Sequence, residues 1–212
     1  VTELLGIEGR PYTPFQITEM AIARSEGREL PPLFERPLRA EGALTIDEAA
    51  SDMETLLGVV DGSRVRMKHI RGDIAKIVSR ISRDGETLFD YAQAKAIASL
   101  VRLKEKLSLL KFLASRTAVD GKGFPFNNYH IVSILRQVSR DEDEIKELIR
   151  EVENLGITNG AHITLILESS RTRGEIITAI GTLRGLGIAD SGHIARIVHA
   201  SRRMDDAEEI VA

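Results

Sequence analysis

Residues Asn127–Leu135 read Asn-Asn-Tyr-His-Ile-Val-Ser-Ile-Leu, and two related stretches follow them in the chain. Asn159–Leu167 read Asn-Gly-Ala-His-Ile-Thr-Leu-Ile-Leu, and Asp190–Val198 read Asp-Ser-Gly-His-Ile-Ala-Arg-Ile-Val. The three histidines are 32 and then 31 residues apart. Repetition at a fixed period of this size is typical of helical-repeat proteins, in which each unit buries its apolar face only against its neighbours.

Each repeat is predicted to form two helices, which we name helix A and helix B. Helix A is expected over residues 128–138, 160–170 and 191–201. Helix B is expected over residues 142–155 and 175–186. The chain begins with Val1, and its third repeat ends a turn or two into helix B, so we expect a truncated third unit and a chain that is part of a larger protein.

Local signals support these boundaries. The pairs Ser139–Glu142, Thr172–Glu175 and Asp205–Glu208 have the three-residue spacing of a capping box, in which each side chain bonds a free N–H at the start of a helix. Gly156 and Gly187 follow the first two B helices, where glycine readily adopts the left-handed conformation that ends a helix. The period and the local signals therefore predict the same helices.

The apolar residues of helix A recur three and four positions apart, which is the spacing of one helix face. We expect this face to be buried between units, because stacking is what covers the apolar side of a repeat. The predicted buried residues are Ile131, Ile134, Leu135, Ile163, Ile166, Leu167, Ile194, Ile197 and Val198.

The whole chain is predicted to be all-α, with stacked helical hairpins that form an α-solenoid-like right-handed array. Residues 1–43 are interpreted as an N-terminal helix followed by a proline-rich linker or strap, because three prolines fall within Pro31–Pro37. Residues 44–126 are interpreted as a helical region that contains a basic segment and one long helix. The apolar periodicity of Asp84–Arg116 predicts this helix, either kinked or straight, as a spine for the others. Residues 127–212 contain the repeats.

The composition excludes several classes of protein. The chain of 212 residues has no Cys, so disulfides and thiolate metal sites are excluded. No apolar run approaches the roughly 18 residues that a membrane span needs, and an intracellular, cytoplasmic location is expected. No nucleophile elbow, phosphate-binding loop or zinc-protease helix is present. We therefore expect a protein that is not an enzyme and that needs no cofactor or metal.

The repeated histidines are predicted to cap helices. His130, His162 and His193 each lie three residues after an Asn or Asp that can start helix A. At that position a side-chain acceptor can bond the free N–H of the first capping residue, and a neutral imidazole nitrogen is such an acceptor. One histidine per unit does not supply a shared metal site, so a structural role is favoured over a ligand site.

Two groups of cations are candidates for binding a polyanion. Seven cations against one acid give a net charge of +6 over the twenty residues from Arg64 to Arg83. A solvated face, or a match to the acidic run Asp141–Glu147, would explain this segment equally well. The Ser-Arg pair after each helix A either caps that helix or lines an edge of the array. The candidate residues are Arg64, Arg66, Lys68, Arg71, Lys76, Arg80, Arg83, Arg171, Arg173, Arg202 and Arg203.

One stretch carries a resemblance to known repeats. Residues 157–166, the short loop Ser170–Gly174 and the B helix up to Gly187 resemble the two-helix repeats of TAL-effector-like and mitochondrial-terminator-like proteins. The resemblance implies a helical array and a role in nucleic-acid binding. The chain differs from these families because it is acidic, with a net charge of −3, and because it lacks the glycine-rich base-reading loop of the former and the recurrent proline of the latter.

The sequence therefore predicts a non-enzymatic scaffold that binds another macromolecule, most favourably a protein. Stacked hairpins present long surfaces and require few individual residues for recognition. The alternative is a nucleic-acid-binding repeat protein that uses Arg64–Arg83 and the repeat-edge arginines. Only 4% of the residues are aromatic, which disfavours stacking on nucleic-acid bases.

Overall fold

The computed structural model describes residues 42–62, 67–117, 123–137 and 140–200, and the chain divides into two compact units, Val1–Lys104 and Glu105–Ala212. The described residues are mostly helical with very little strand, which confirms the all-α class. The predicted N-terminal helix, the proline-rich linker and the third helix B lie outside the described residues. The predicted boundary at 126/127 lies inside the second unit.

The first unit begins, in its described part, with α1 (Ile46–Gly62), α2 (Met67–Val78), β1 (Ser82–Arg83), β2 (Glu86–Thr87) and α3 (Tyr91–Ala98). Helix α2 packs against both α1 and α3. The buried side chains of this unit are aliphatic for the most part, and they include Met53, Leu56, Ile70, Ile74, Ile77, Ile81, Phe89 and Ile97.

Thr45 and Glu48 have the sequence spacing of a capping box, which predicts the start of a helix, and this capping box is present at the start of α1. The Thr45 N–H donates to Glu48 Oε2 at 2.9 Å, and the Glu48 N–H donates to Thr45 Oγ1 at 3.3 Å. Just before it, Leu44 forms a parallel bridge with Ile81, in which the Ser82 N–H donates to the Leu44 carbonyl at 2.8 Å. The entry to α1 is thereby fixed to the end of α2.

The predicted spine helix over Asp84–Arg116 is wrong. Asp84 and Gly85 have φ values of 53° and 83° and form the turn between β1 and β2, because Asp-Gly readily adopts the left-handed conformation of a tight hairpin turn. Asp90 then starts α3 with a capping box to Gln93. Arg102, with a φ of 55°, separates α3 from the next helix. The spacing of the apolar residues continues through these turns, so the spacing alone could not show where the helices are interrupted.

The same region corrects a second reading. The sequence Asp73–Val78, followed by Ser82–Arg83, has the spacing of the first helix A and predicts an earlier copy of it. Residues Asp73–Val78 are indeed helical, but they are the second half of α2, and Ser82–Arg83 is strand β1. The apolar spacing of Ile74 and Ile77 reflects one buried face of a longer helix.

The second unit contains six helices in its described part, and the first of them, α4, begins two residues before the start of the unit. They are α4 (Leu103–Ser115), α5 (Asn128–Arg136), α6 (Glu142–Asn154), α7 (Gly160–Leu167), α8 (Arg173–Gly185) and α9 (Ser191–Ala200).

Five of these helices match the predicted A and B helices. Helices α5, α7 and α9 are the A helices, and each ends one to three residues earlier than expected. Helices α6 and α8 are the B helices, and Gly156 and Gly187 follow them with φ values of 76° and 88°, as predicted. The Thr172–Glu175 capping box is present. The N-cap of α6, however, is Asp141 and not the predicted Ser139, because Asp141 accepts the Glu144 N–H at 2.8 Å.

The A helices pack side by side. Helix α7 contacts α5 and α9, and α8 contacts α6. Eight of the nine predicted apolar residues are buried, and Ile197 is half-buried. Its equivalents Ile134 and Ile166 are completely buried. Ile134 and Ile166 belong to helices that are followed by another A helix. Ile197 belongs to α9, which is the last A helix in the described part of the chain.

Candidate functional site

His130 caps α5 as predicted. The His130 N–H donates to Asn127 Oδ1 at 3.0 Å, and the Asn127 N–H donates to His130 Nδ1 at 3.4 Å. Burial lowers the pKa of His130, while a hydrogen bond with the Pro125 backbone raises it by a smaller amount. The neutral imidazole is therefore the form that this packing favours.

His162 does not complete the predicted capping box. Asn159 Oδ1 accepts from the N–H groups of Ala161 and His162, but the imidazole points forward to the next repeat. Its Nδ1 atom lies 2.9 Å from Ser191 Oγ, in the first turn of α9. The prediction of a local cap is wrong here, because the small first-turn residues of α9 leave room for the ring.

His193 follows a third arrangement. Its N–H donates to Asp190 Oδ1 at 2.7 Å, and this hydrogen bond lowers the pKa of Asp190. The His193 side chain is 68% exposed, and its Nδ1 lies 3.6 Å from the same carboxylate oxygen. The backbone part of the predicted cap is therefore present, while the ring lies in solvent.

The first two histidines share a contact that the sequence did not reveal. A Cβ atom on Gly160, the first residue of α7, would lie 3.1 Å from His130 Nδ1 and 1.8 Å from the Pro125 carbonyl oxygen. A Cβ atom on Gly192 would lie 3.1 Å from His162 Nε2. Each ring thus lies against the first turn of the following A helix. At these two positions the histidine forms a junction between one helix A and the helix A that follows it.

A second junction joins the opposite ends of the A helices. Lys106 Nζ donates to the carbonyls of Leu135 and Gln137 at 2.7 and 2.8 Å, at the C-terminus of α5. Arg140 donates to the carbonyls of Leu167 and Ser169, at the C-terminus of α7. Leu135 and Leu167 are equivalent, since each lies five residues after its histidine.

Arg140 therefore caps a helix, but not the helix that the sequence suggested. The prediction placed it on the carbonyls of its own A helix, α5, and the structure places it on those of α7, where it also donates to the Arg171 carbonyl. Burial lowers the pKa of both Lys106 and Arg140. Both cations satisfy carbonyls that the helix itself leaves unbonded.

Two of the four candidate repeat-edge arginines lie in the described part of the chain, and both are engaged within the second unit. Arg171 is buried, with 5% exposure. Arg173 forms salt bridges with Glu147 and with Glu151, the latter at 2.7 Å, and its hydrogen bond lowers the pKa of Glu151. Arg171 is thus buried, whereas Arg173 is paired with two carboxylates and keeps 36% of its side chain exposed. The other two, Arg202 and Arg203, lie outside the described residues.

The basic segment divides into exposed and engaged cations. Lys68, Arg71 and Lys76 lie on the exposed side of α2. Arg80 donates through Nε to the Gly42 carbonyl at 2.8 Å, and Arg83 is half-buried, with a pKa that burial lowers. Arg64 and Arg66 lie outside the described residues.

The acidic run Asp141–Glu147 has cations of its own unit beside it. Glu147 pairs with Arg173, and Asp143 lies 3.1 Å from Lys146 Nζ. Glu144 lies 3.6 Å from Arg140 Nε. These contacts supply the acidic run with counter-charges within the second unit.

Helix α8 exposes glycines that no contact explains. Gly174, Gly181 and Gly185 are seven and four residues apart, so they lie on one helix face, and a Cβ atom on any of them would meet nothing within 4 Å. Leu186, directly after the helix, is 53% exposed. This face was not predicted from the sequence, although the glycines that form it have the spacing of a helix and not of a loop.

The described residues offer neither a metal centre nor a membrane span. Among the described residues no group of three or more His, Asp or Glu side chains is placed to hold a metal ion. No helix in the described ranges is both long and apolar enough to cross a bilayer. Comparison of the chain with protein-family models, curated proteins and solved structures gave no match.

Proposed function

We propose that this protein is a non-enzymatic interaction scaffold, in which stacked helical hairpins form an α-solenoid-like array that binds a protein partner. The observation that carries the proposal is the pair of recurring junctions. His130 and His162 contact the helix that follows, and Lys106 and Arg140 cap the A helices. These four polar residues thereby join neighbouring helices of the array.

The exposed face of α8 supports a protein partner. Glycine inside a helix costs about 1 kcal/mol relative to alanine, and neither φ nor packing requires it at Gly174, Gly181 or Gly185. A face without side chains lets another helix approach closely, and the exposed Leu186 adds apolar area at its end. We infer that the partner lies on this face. The resemblance to TAL-effector-like and mitochondrial-terminator-like repeats and the cytoplasmic location stay predictions.

The test is affinity capture with three forms of the chain. The wild type is compared with Gly181→Gln/Gly185→Gln, in which two side chains cover the α8 face. The matched control is Asn154→Gln, which lengthens an exposed, uncharged side chain of α6. We expect a protein that the wild type and the control retain and that the α8 variant loses.

The captured protein must then be purified and titrated against each form. We expect the α8 variant to bind at least tenfold more weakly. Its helix content by circular dichroism and its thermal midpoint should be equal to or higher than those of the wild type. Equal affinity of all three forms would refute the α8 surface. Turnover of a small substrate, abolished by a single substitution that leaves the fold intact, would refute the non-enzymatic scaffold.

A further inference from the structure

Helix α2 of the first unit has one buried face and one cationic face. Ile70, Ile74 and Ile77 are at most 4% exposed and pack into the core. Lys68 and Arg71 are exposed on the other side. Neither has an acidic partner within salt-bridge distance in the described part of the chain.

Lys76 extends this cationic face toward the C-terminus of α2. Its side chain is 67% exposed, and it lies 3.5 Å from Asp73, whose side chain is 19% exposed. Eight residues separate Lys68 from Lys76, which corresponds to about 12 Å along the helix axis. The three cations are therefore spread along the helix and around its solvent side, since Arg71 and Lys76 lie about 140° apart around the axis.

Gly72 lies between these cations and is unexplained by the fold. It is exposed, and a Cβ atom on it would meet nothing within 4 Å. Its φ is not in the left-handed region, and glycine at such a position is about 1 kcal/mol less favourable than alanine. The absent side chain lets another molecule approach the α2 backbone between the flanking lysines.

We propose that this face of α2 binds double-stranded DNA through its phosphates. The binding is an activity of the first unit and does not depend on the scaffold role of the second. Cations along one helix face complement a duplex, which carries a negative charge for about every 1.7 Å of its axis. A helix also fits the major groove, which is about 12 Å wide.

The contacts supply position and affinity rather than sequence recognition. Lysine and arginine contacts to phosphates carry no direct base information. Helix α2, whose sequence is Met-Lys-His-Ile-Arg-Gly-Asp-Ile-Ala-Lys-Ile-Val, contains no Phe, Tyr or Trp, so stacking of bases on these rings is not expected. Different duplex sequences should therefore bind with similar affinity.

The first measurement is fluorescence anisotropy of a labelled 20-base-pair duplex, titrated with the full chain over a salt series. Three phosphate contacts predict a slope of about −2.7 for log K against log salt, which is roughly a 40-fold loss of affinity between 50 and 200 mM salt. Absence of binding at 50 mM salt, or binding that salt does not weaken, would overturn the proposal.

Two matched variants locate the site. Lys68→Glu/Arg71→Glu should weaken binding at least tenfold at 50 mM salt and make the slope shallower by about 1.8. Arg136→Glu/Arg196→Glu makes the same charge change on exposed residues of α5 and α9 and should bind like the wild type. Equal losses in both variants would assign the effect to net charge and would contradict a site on α2.

Gly72→Gln separates binding from folding. Its side chain enters open space, so the thermal midpoint should equal or exceed that of the wild type, while the affinity for the duplex should fall at least tenfold. Wild-type affinity in this variant would overturn the close approach to α2. Competition with anionic lipid vesicles and with poly-glutamate completes the test. Competition as effective as that of duplex DNA, per negative charge, would show a general anion surface instead.

Discussion

Gly160→Ala tests the junction between α5 and α7. Gly160 is the first residue of α7, and a Cβ atom there would lie 1.8 Å from the Pro125 carbonyl oxygen and 2.7 Å from its carbonyl carbon. Both atoms belong to the backbone, so no side-chain rotation can relieve the overlap. His130 Nδ1, at 3.1 Å, closes the same space from another side. The substitution therefore requires α7 and the Pro125 segment to separate.

The size of the effect follows from this geometry. Overpacking a well-filled core costs about 1–3 kcal/mol, and a backbone overlap that forces two segments apart belongs at the upper end, about 3 kcal/mol. The better helix propensity of alanine offsets at most about 1 kcal/mol of this loss. We expect a net loss of at least about 2 kcal/mol in the free energy of unfolding of the second unit.

The control is the same substitution at Gly181. That residue lies in α8 with open space around it, so Gly181→Ala should stabilise the unit by about 0.5–1 kcal/mol. Urea denaturation followed by circular dichroism measures both changes. Opposite signs for the two variants would support the junction. A Gly160→Ala protein as stable as the wild type would refute it.

Two further predictions concern the polar groups of the junctions. Arg140→Met should destabilise the second unit by about 1–3 kcal/mol in urea denaturation, because the carbonyls at the C-terminus of α7 lose their donor. The control Arg136→Met, on the exposed side of α5, should change the free energy of unfolding by less than about 0.5 kcal/mol. Equal effects of the two substitutions would contradict the cap. Folding lowers the pKa of His130, so the unfolded chain binds more protons than the folded chain as the pH falls. The contribution of neutral His130 to the free energy of unfolding is therefore complete above the ordinary histidine pKa of about 6.5 and is lost as the pH falls below it. Unfolding between pH 5 and 8 should show this loss in the wild type and a smaller one in His130→Gln, and the same pH profile in both would contradict the assignment.

Local sequence signals predicted the ends of helices well. Thr45, Thr172, Gly156 and Gly187 act within a few residues of their own positions, and the structure places each of them as expected. The 31- and 32-residue spacing also predicted the equivalent helices, because segments with similar sequences form similar local structure. Burial of the A-helix faces followed from that periodicity.

The partners of the junction residues could not be predicted in this way. The Ser191 that His162 contacts is 29 residues away, and the Leu167 carbonyl that Arg140 bonds is 27 residues away. Which residues meet across such distances depends on how neighbouring helices are displaced along each other. Arg171 had the sequence character of a surface cation, and only its packing shows that it is buried.

The order of the junction residues along the chain has a consequence for synthesis on the ribosome. Lys106 and Arg140 precede the carbonyls that they bond, which belong to α5 and α7. Each of these helices therefore emerges from the exit tunnel after its capping cation, so these bonds need no later residue. The polar caps of the second unit can form in chain order during translation, whereas the apolar face of α5 or α7 stays uncovered until the next helix A has been made.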